Sequence, residues 1–199
     1  MGRPKNQVLL EIRSDANRAR SDPETLMKCL DSIMRGLERE FYEWSSPVPI
    51  RAGKRWIWIR PIQDQILETA VVMLLGPIID PHLHEQNFGW RKGRSALLAK
   101  NAVEDGLLYG DFDYVIRTDI KDCFQTLPHE GVITSLQQRI SDGPVIGLIT
   151  DLISGNPGKE KRGILQGTVS APILANIFLD GLDRLVFPMN TIMGSATTK

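Results

Sequence analysis

Apolar positions recur at helical spacing over much of the chain. In residues 22–44, Leu26, Leu30, Ile33, Met34, Leu37 and Phe41 fall on one face, and Asp22-Pro23-Glu24 supplies a cap followed by proline in the first turn. Ser45-Ser46-Pro47-Val48-Pro49 ends that element. Lys54 to Ile59 alternates basic, aromatic and β-branched residues and predicts a short strand. Gln63 to Leu75 predicts a second helix, with Ile66, Ala70, Met73 and Leu74 on one face and Gly76, Pro77 and Pro81 as breakers. A loop through Gly93 follows, then a helix from Ser95, its cap, to Leu108.

The second half predicts a strand at Tyr114–Thr118 running into Asp119, and helices at Ile133–Ile140 and Val145–Ile153, the latter closed by Gly155. Gly155-Asn156-Pro157-Gly158 is a turn, and Lys159 to Leu165 suits a strand or hairpin. Pro172 to Leu185 is a strongly apolar helix starting after Ser170 or Ala171. Helices and strands do not alternate as βαβ units, which favours an α+β layout. No internal repeat or low-complexity segment interrupts the pattern.

Charge sharpens this picture more than bulk composition does. The 199 residues carry no formal net charge, yet residues 1–60 hold 12 basic against 8 acidic side chains, and residues 61–162 hold 10 against 14. A basic front beside an acidic middle suits a protein that grips phosphates next to metal-binding carboxylates. Cys29 and Cys123 are too few and too far apart for a disulfide framework or a zinc site. No apolar core marks the N-terminus as a signal, and Ala70–Ile79, the longest apolar stretch, is broken by Gly76-Pro77. The expectation is a soluble, cytoplasmic protein without a membrane partner.

Three segments carry candidate chemistry. In Val115-Ile116-Arg117-Thr118-Asp119-Ile120-Lys121-Asp122-Cys123-Phe124, a carboxylate ends an apolar strand, where a rigid sheet edge could present it to a hard divalent cation. Alone, such an aspartate is usually a turn former or a helix cap. Gly163-Ile164-Leu165-Gln166-Gly167-Thr168-Val169-Ser170-Ala171-Pro172 is a glycine-bearing loop entering a helix, and it lets backbone and an amide side chain approach a nucleotide or template. A plain loop capped by Ser170 explains the same residues. Asn87-Phe88-Gly89-Trp90-Arg91-Lys92-Gly93-Arg94-Ser95 interleaves basic and aromatic residues and suits phosphates and base stacking, or a solvated basic loop.

Their order resembles a known family. Lys54 to Ile66 resembles the reverse transcriptase segment K-R-x-L-x-I-P-x-x-x-D-R-I, and residues 87–95 resemble its Y-G-F-R-P-G-R-S box. Residues 115–124 resemble the D-I-K-x-F-F strand, and residues 163–176 resemble G-x-P-Q-G-x-x-x-S-P-x-L-A-N. Four boxes in family order over residues 54–180 place the chain with the group II intron, retron and defence-associated branch of bacterial reverse transcriptases.

The resemblance implies an α+β right-hand polymerase: mostly helical fingers over 1–110 and part of a palm with a small antiparallel sheet over 111–199. Asp119 would be the catalytic, Mg²⁺-binding carboxylate, with the Ile120 carbonyl as a further ligand. Phe124 would exclude a 2′-hydroxyl on the incoming deoxynucleoside triphosphate, and Gln166 and Gly167 would line its pocket. Lys54, Arg55 or Arg60 would neutralise the triphosphate, while Arg91, Lys92 and Arg94 would meet the RNA template or DNA primer.

Arg60, Leu165 and Ala171 depart from the family pattern, and no Tyr-x-Asp-Asp box occurs. Asp180 and Asp183, on the closing helix, are unpromising substitutes for its carboxylates. The expectation is a chain that stops before its catalytic site is complete and is inert alone, with the remaining palm and thumb as a possible separate partner. The competing expectation is a non-catalytic RNA- or partner-binding derivative.

Overall fold

The chain was analysed as a computed structural model, which describes residues 5–39, 42–53, 55–110, 114–155 and 161–186. Helices α1 (Lys5–Ser21) and α2 (Pro23–Glu38) meet at Asp22, whose carboxylate accepts from the Glu24 and Thr25 amides and the Thr25 hydroxyl. Those bonds satisfy the orphan donors of the first turn, so the predicted cap forms. The Thr25 hydroxyl is the main cause holding the Asp22 carboxyl below its usual range. Helix α2 stops at Glu38, short of the predicted residue 44.

Strands β1 (Val48–Ala52) and β2 (Arg55–Ile59) form an antiparallel hairpin in which Val48 faces Ile59 and Ile50 faces Ile57. The sequence pattern predicted β2 but treated Val48 and Pro49 as a helix terminator. Proline is tolerated here because a two-stranded sheet is all edge. Gly53, at φ +62°, takes the left-handed turn conformation that lets the hairpin close.

Helix α3 (Ile62–Ile79) runs through Gly76-Pro77 rather than ending there, and a 3₁₀ turn (Asp80–His82) extends it. An internal proline costs roughly 3 kcal/mol. Leu75 and Ile79, each 1% exposed, flank Pro77, and burying each is worth about 1.5–3 kcal/mol. Burial therefore matches or outweighs the break. By length and composition, Ile62–His82 is apolar enough to cross a bilayer, at mean hydropathy 1.4, contrary to the reading of the sequence. Its buried face nevertheless carries Asp64 and Glu68, both partnered within the fold, as a core helix of a globular protein would.

Helix α4 (Ala96–Tyr109) starts at Ser95, whose hydroxyl accepts from the Leu98 amide as predicted. The short α5 (Cys123–Thr126) leads to α6 (His129–Gln137), α7 (Gly143–Ser154) and α8 (Ala171–Val186). Residues 161–165 form only an isolated bridge, Pro128 to Arg162, instead of a strand. One apolar cluster unites Ile33 of α2, Leu67, Val71, Leu75 and Ile79 of α3, Val132 and Leu136 of α6, Ile149 of α7 and Leu174 of α8. This core crosses residue 110, so the two halves are packed as one body.

The predicted strand at Tyr114–Thr118 does not form. Residues 114–120 have no ladder partner among the described residues, and all are exposed, with Tyr114 at 88% and Ile116 at 86%. A strand needs a neighbour for its backbone donors and acceptors, and β1–β2 is the only sheet among the described residues. Helix α4 is similarly bare, burying Ala102 but exposing Leu97, Val103, Leu108 and Tyr109.

Leu174 is fully buried, whereas Leu108 is 71% exposed. Leu174→Ala is expected to lower the unfolding free energy by about 2–5 kcal/mol. Leu108→Ala should change it by less than about 0.5 kcal/mol. Urea denaturation of both variants checks the contrast.

Candidate functional site

Arg60, Asp64 and Glu68 follow one another at four-residue spacing, and all are at most 2% exposed. The Arg60 guanidinium donates to the carbonyls of Ser45 (2.6 Å) and Leu152 (3.2 Å), lies 4.0 Å from Asp64 and sits 5.6 Å over the Trp44 ring. Asp64 accepts from the Tyr42 hydroxyl (2.7 Å) and the Ser45 amide (2.9 Å). Glu68 accepts from the amide (2.9 Å) and hydroxyl (2.5 Å) of Ser170.

Burial lowers the Arg60 pKa, and the charges of Asp64 and Glu68 oppose it. Burial and the bond to Asp64 push the Tyr42 hydroxyl well above its ordinary value. The sequence reading of Arg60 as a triphosphate contact is corrected: its charge is spent inside the protein. Ser170 likewise gives its hydroxyl to Glu68.

This network seats the loop ahead of α8. The amides of Gly163 and Ile164 donate to the carbonyls of Leu127 (2.9 Å) and Phe124 (2.7 Å). The His129 amide donates to the Lys161 carbonyl (3.0 Å), and its ring Nε2 lies 2.8 Å from the Gly163 carbonyl. Further along, the Trp58 amide of β2 donates to the Gln166 carbonyl at 3.1 Å. Gly167 adopts φ +100°, and a Cβ there would lie 3.0 Å from the Ile57 side chain. Glycine is thus required on both conformational and spatial grounds. The loop draws Phe124, Gln166, Gly167 and β2 into one region. Lys54 falls outside the described residues, and Arg55 opens β2.

Asp119 is exposed, and its charge joins burial in raising the Cys123 thiol pKa, burial being the larger cause. Asp119 and the Ile120 carbonyl offer part of an oxygen donor set. Among the described residues, no three His, Cys, Asp or Glu side chains converge as a metal site. A hard divalent cation needs about six oxygen ligands, so the described residues do not by themselves fit a bound metal pair.

Residues 84–94 are fastened to α8 and to the end of α3. Arg91, its side chain 8% exposed, donates to the Asp80 carboxylate (2.8 Å) and to the carbonyls of Asp80 (2.8 Å), His84 (2.8 Å) and Asn87 (3.1 Å). It therefore braces the loop instead of facing solvent phosphates, which corrects its assignment from sequence. Lys92 and Arg94 are exposed, and Arg94 lies 5.3 Å over the Phe88 ring.

Asp180 accepts from the His84 amide and from Arg184, both at 2.7 Å, and Asp183 accepts from Asn87 at 3.2 Å. These carboxylates hold the loop. The sequence reading missed the whole Arg60–Asp64–Glu68–Ser170 network. Its signal was available: three charges at helical spacing inside an apolar segment have to be paired.

Comparisons with known proteins bear on the family and the fold. A family model described as reverse transcriptase (RNA-dependent DNA polymerase) matches residues 52–192. The group II intron-encoded protein LtrA of Lactococcus lactis is 27% identical over 181 residues, 83% of this chain and 29% of LtrA. The uncharacterized 91 kDa protein in the cob intron of Schizosaccharomyces pombe is 28% identical over 82% of this chain and 22% of its own length. Protein YkfC of Escherichia coli is 29% identical over 69% of this chain and 39% of its own. The chain therefore spans 22–39% of the length of these relatives. A chain of the solved partial Cas6-RT-Cas1–Cas2 complex shares the fold at TM-score 0.55 and 21% identity, over 85% of this chain and 33% of that one.

Arg60→Ala should destabilise the protein by about 3–5 kcal/mol, because it leaves two buried carboxylates without their counter-charge; equilibrium unfolding measures this. Asp183 tests pH linkage. Burial is the main cause raising its pKa. Its stabilising contribution is therefore complete below the unfolded value, near about pH 3.9, and is lost as pH rises through the folded one. Asp183→Asn is expected to raise the melting temperature at about pH 7, with the gain vanishing near about pH 3.5. Thermal scans across that window check it.

Proposed function

The chain belongs to the reverse transcriptase (RNA-dependent DNA polymerase) family, and from that premise we propose that it provides the fingers and the start of the palm of an RNA-directed DNA polymerase of the group II intron type. The observation that carries this reading is the stitching of the 161–167 loop to Phe124 on one side and to β2 on the other. It supports a pocket in which Gln166 and Gly167 face the incoming deoxynucleoside triphosphate and Phe124 tests its sugar. Lys54 and Arg55 would neutralise the triphosphate, and Lys92 and Arg94 would meet template or primer phosphates. Residues up to 110 would act as fingers, and those from 111 as palm.

Asp119 and the Ile120 carbonyl would be part of the oxygen ligands of a Mg²⁺ site completed by carboxylates from the rest of the palm; a divalent cation held there would offset charge on the transferring phosphate. The bare segment 114–120 and the exposed face of α4 are where further palm structure would pack. Backbone groups without a ladder partner and large exposed apolar side chains both gain by being covered.

Primer extension on an RNA template tests this. The 199 residues alone are expected to give no product, because Asp119 supplies a single carboxylate and no Tyr-x-Asp-Asp box is present. A fusion carrying the palm and thumb of a group II intron relative should extend the primer in a Mg²⁺-dependent way. Asp119→Asn should then abolish extension, since the amide keeps the shape and loses the charge. A folded fusion that binds template and primer but never extends, or extension that survives Asp119→Asn, would overturn the reading.

A further inference from the structure

Trp90 stands apart from the other residues of its loop. Its backbone is at φ +50°, in the left-handed region that bulky residues rarely occupy and that costs of the order of 1–3 kcal/mol. Its neighbours are tied down on both sides. The Asn176 amide of α8 donates to the Gly89 carbonyl at 2.7 Å, and Arg91 is locked by its bonds to Asp80, His84 and Asn87. Rigid flanks thus impose an unfavourable conformation, yet the indole they present is 75% exposed. An apolar ring held largely out in water by a strained backbone gains little from the folded protein's own contacts.

One ring does meet it. Trp90 and Phe124 pack edge to face, with centroids 6.2 Å apart and planes at 78°. In such a T-shaped pair the edge of one ring is spent on the face of the other, and Trp90's exposure leaves much of the indole open to a third planar group. Arg94, stacked on Phe88, and exposed Lys92 set positive charge close by in sequence. An aromatic face beside exposed cations is the combination that holds an unpaired base and its phosphate.

We propose that Trp90 is a stacking platform for a nucleobase, held in position by Phe124. The proposal rests on the polymerase reading only in naming a nucleic acid or nucleotide as the ligand. The base would belong either to the template strand or to the incoming nucleotide, since the stacking chemistry is the same.

The test follows tryptophan fluorescence and affinity of the full chain with three probes: an RNA of about 12 nucleotides, the same sugar–phosphate strand without bases, and thymidine triphosphate with Mg²⁺. The base-bearing RNA is expected to quench the fluorescence and bind at least about fivefold more tightly than the abasic strand, as loss of one stacked base implies. Trp90→Ala should erase that preference and the quenching while leaving the salt dependence of binding intact, because no phosphate contact is removed. Trp90→Phe, which keeps an aromatic face, should restore most of the preference.

Quenching by RNA alone would support the template as the source of the base. Quenching by the triphosphate alone would support the incoming nucleotide. A base preference that survives Trp90→Ala, or no quenching by any probe, overturns the proposal. Salt-sensitive RNA binding with no base preference, and with no quenching by the triphosphate either, would sink this inference and leave the polymerase reading standing.

Discussion

Three charges one helical turn apart sit inside this protein, and the site depends on how they are paired. Desolvating a guanidinium and two carboxylates is tolerable only when each finds close partners. Arg60 finds them in the segment around Ser45 and in α7, Asp64 in Tyr42 and Ser45, and Glu68 in Ser170. The partners come from three other stretches of chain, residues 42–45, α7 and Ser170 ahead of α8, so the ladder sets how α3 sits against its neighbours. Apolar side chains of similar volume could fill the same space, but they would tolerate sliding. Fixed donor and acceptor positions do not.

The consequence reaches the loop before α8. Glu68 fixes Ser170 at one end of that loop, while Leu127, Phe124 and His129 fix the other end around Gly163. Between these anchors, Gln166 is bonded to β2 and Gly167 leaves room for Ile57. A second set of anchors, from α8 to residues 84–91, holds Trp90 against Phe124. Side chains that look like surface chemistry in the sequence, Arg91 and Asp180 among them, turn out to be the braces. The groups left open to a ligand are the ones those braces hold in place.

The part of the molecule that is least settled is equally physical in origin. Helix α4 and residues 114–120 carry apolar side chains with little to cover them among the described residues. The Tyr114–Thr118 pattern of a β-branched run ending in a carboxylate describes a strand well, but strand formation is a pairwise event. The hairpin β1–β2 forms because each strand has the other within a turn's reach.

Taken by itself, the sequence determined what is local or ordered along the chain. Asp22 and Ser95 cap the helices they were expected to cap, α8 follows its apolar pattern, and the order of the four boxes carried the family. Tertiary structure decided which charges face inward. Arg60 reads as a phosphate ligand by its place in a family box and Arg91 by a loop of cations, aromatics and glycines, and neither pattern distinguishes a side chain that meets solvent from one that meets a buried carboxylate. It also decided that α3 would run through Pro77, where the burial of Leu75 and Ile79 offsets a local cost. Spacing along a chain encodes which residues share a helix face. It does not encode which distant carbonyl, carboxylate or ring will lie opposite that face, and that choice fixes whether a charged side chain braces the fold or remains free to bind.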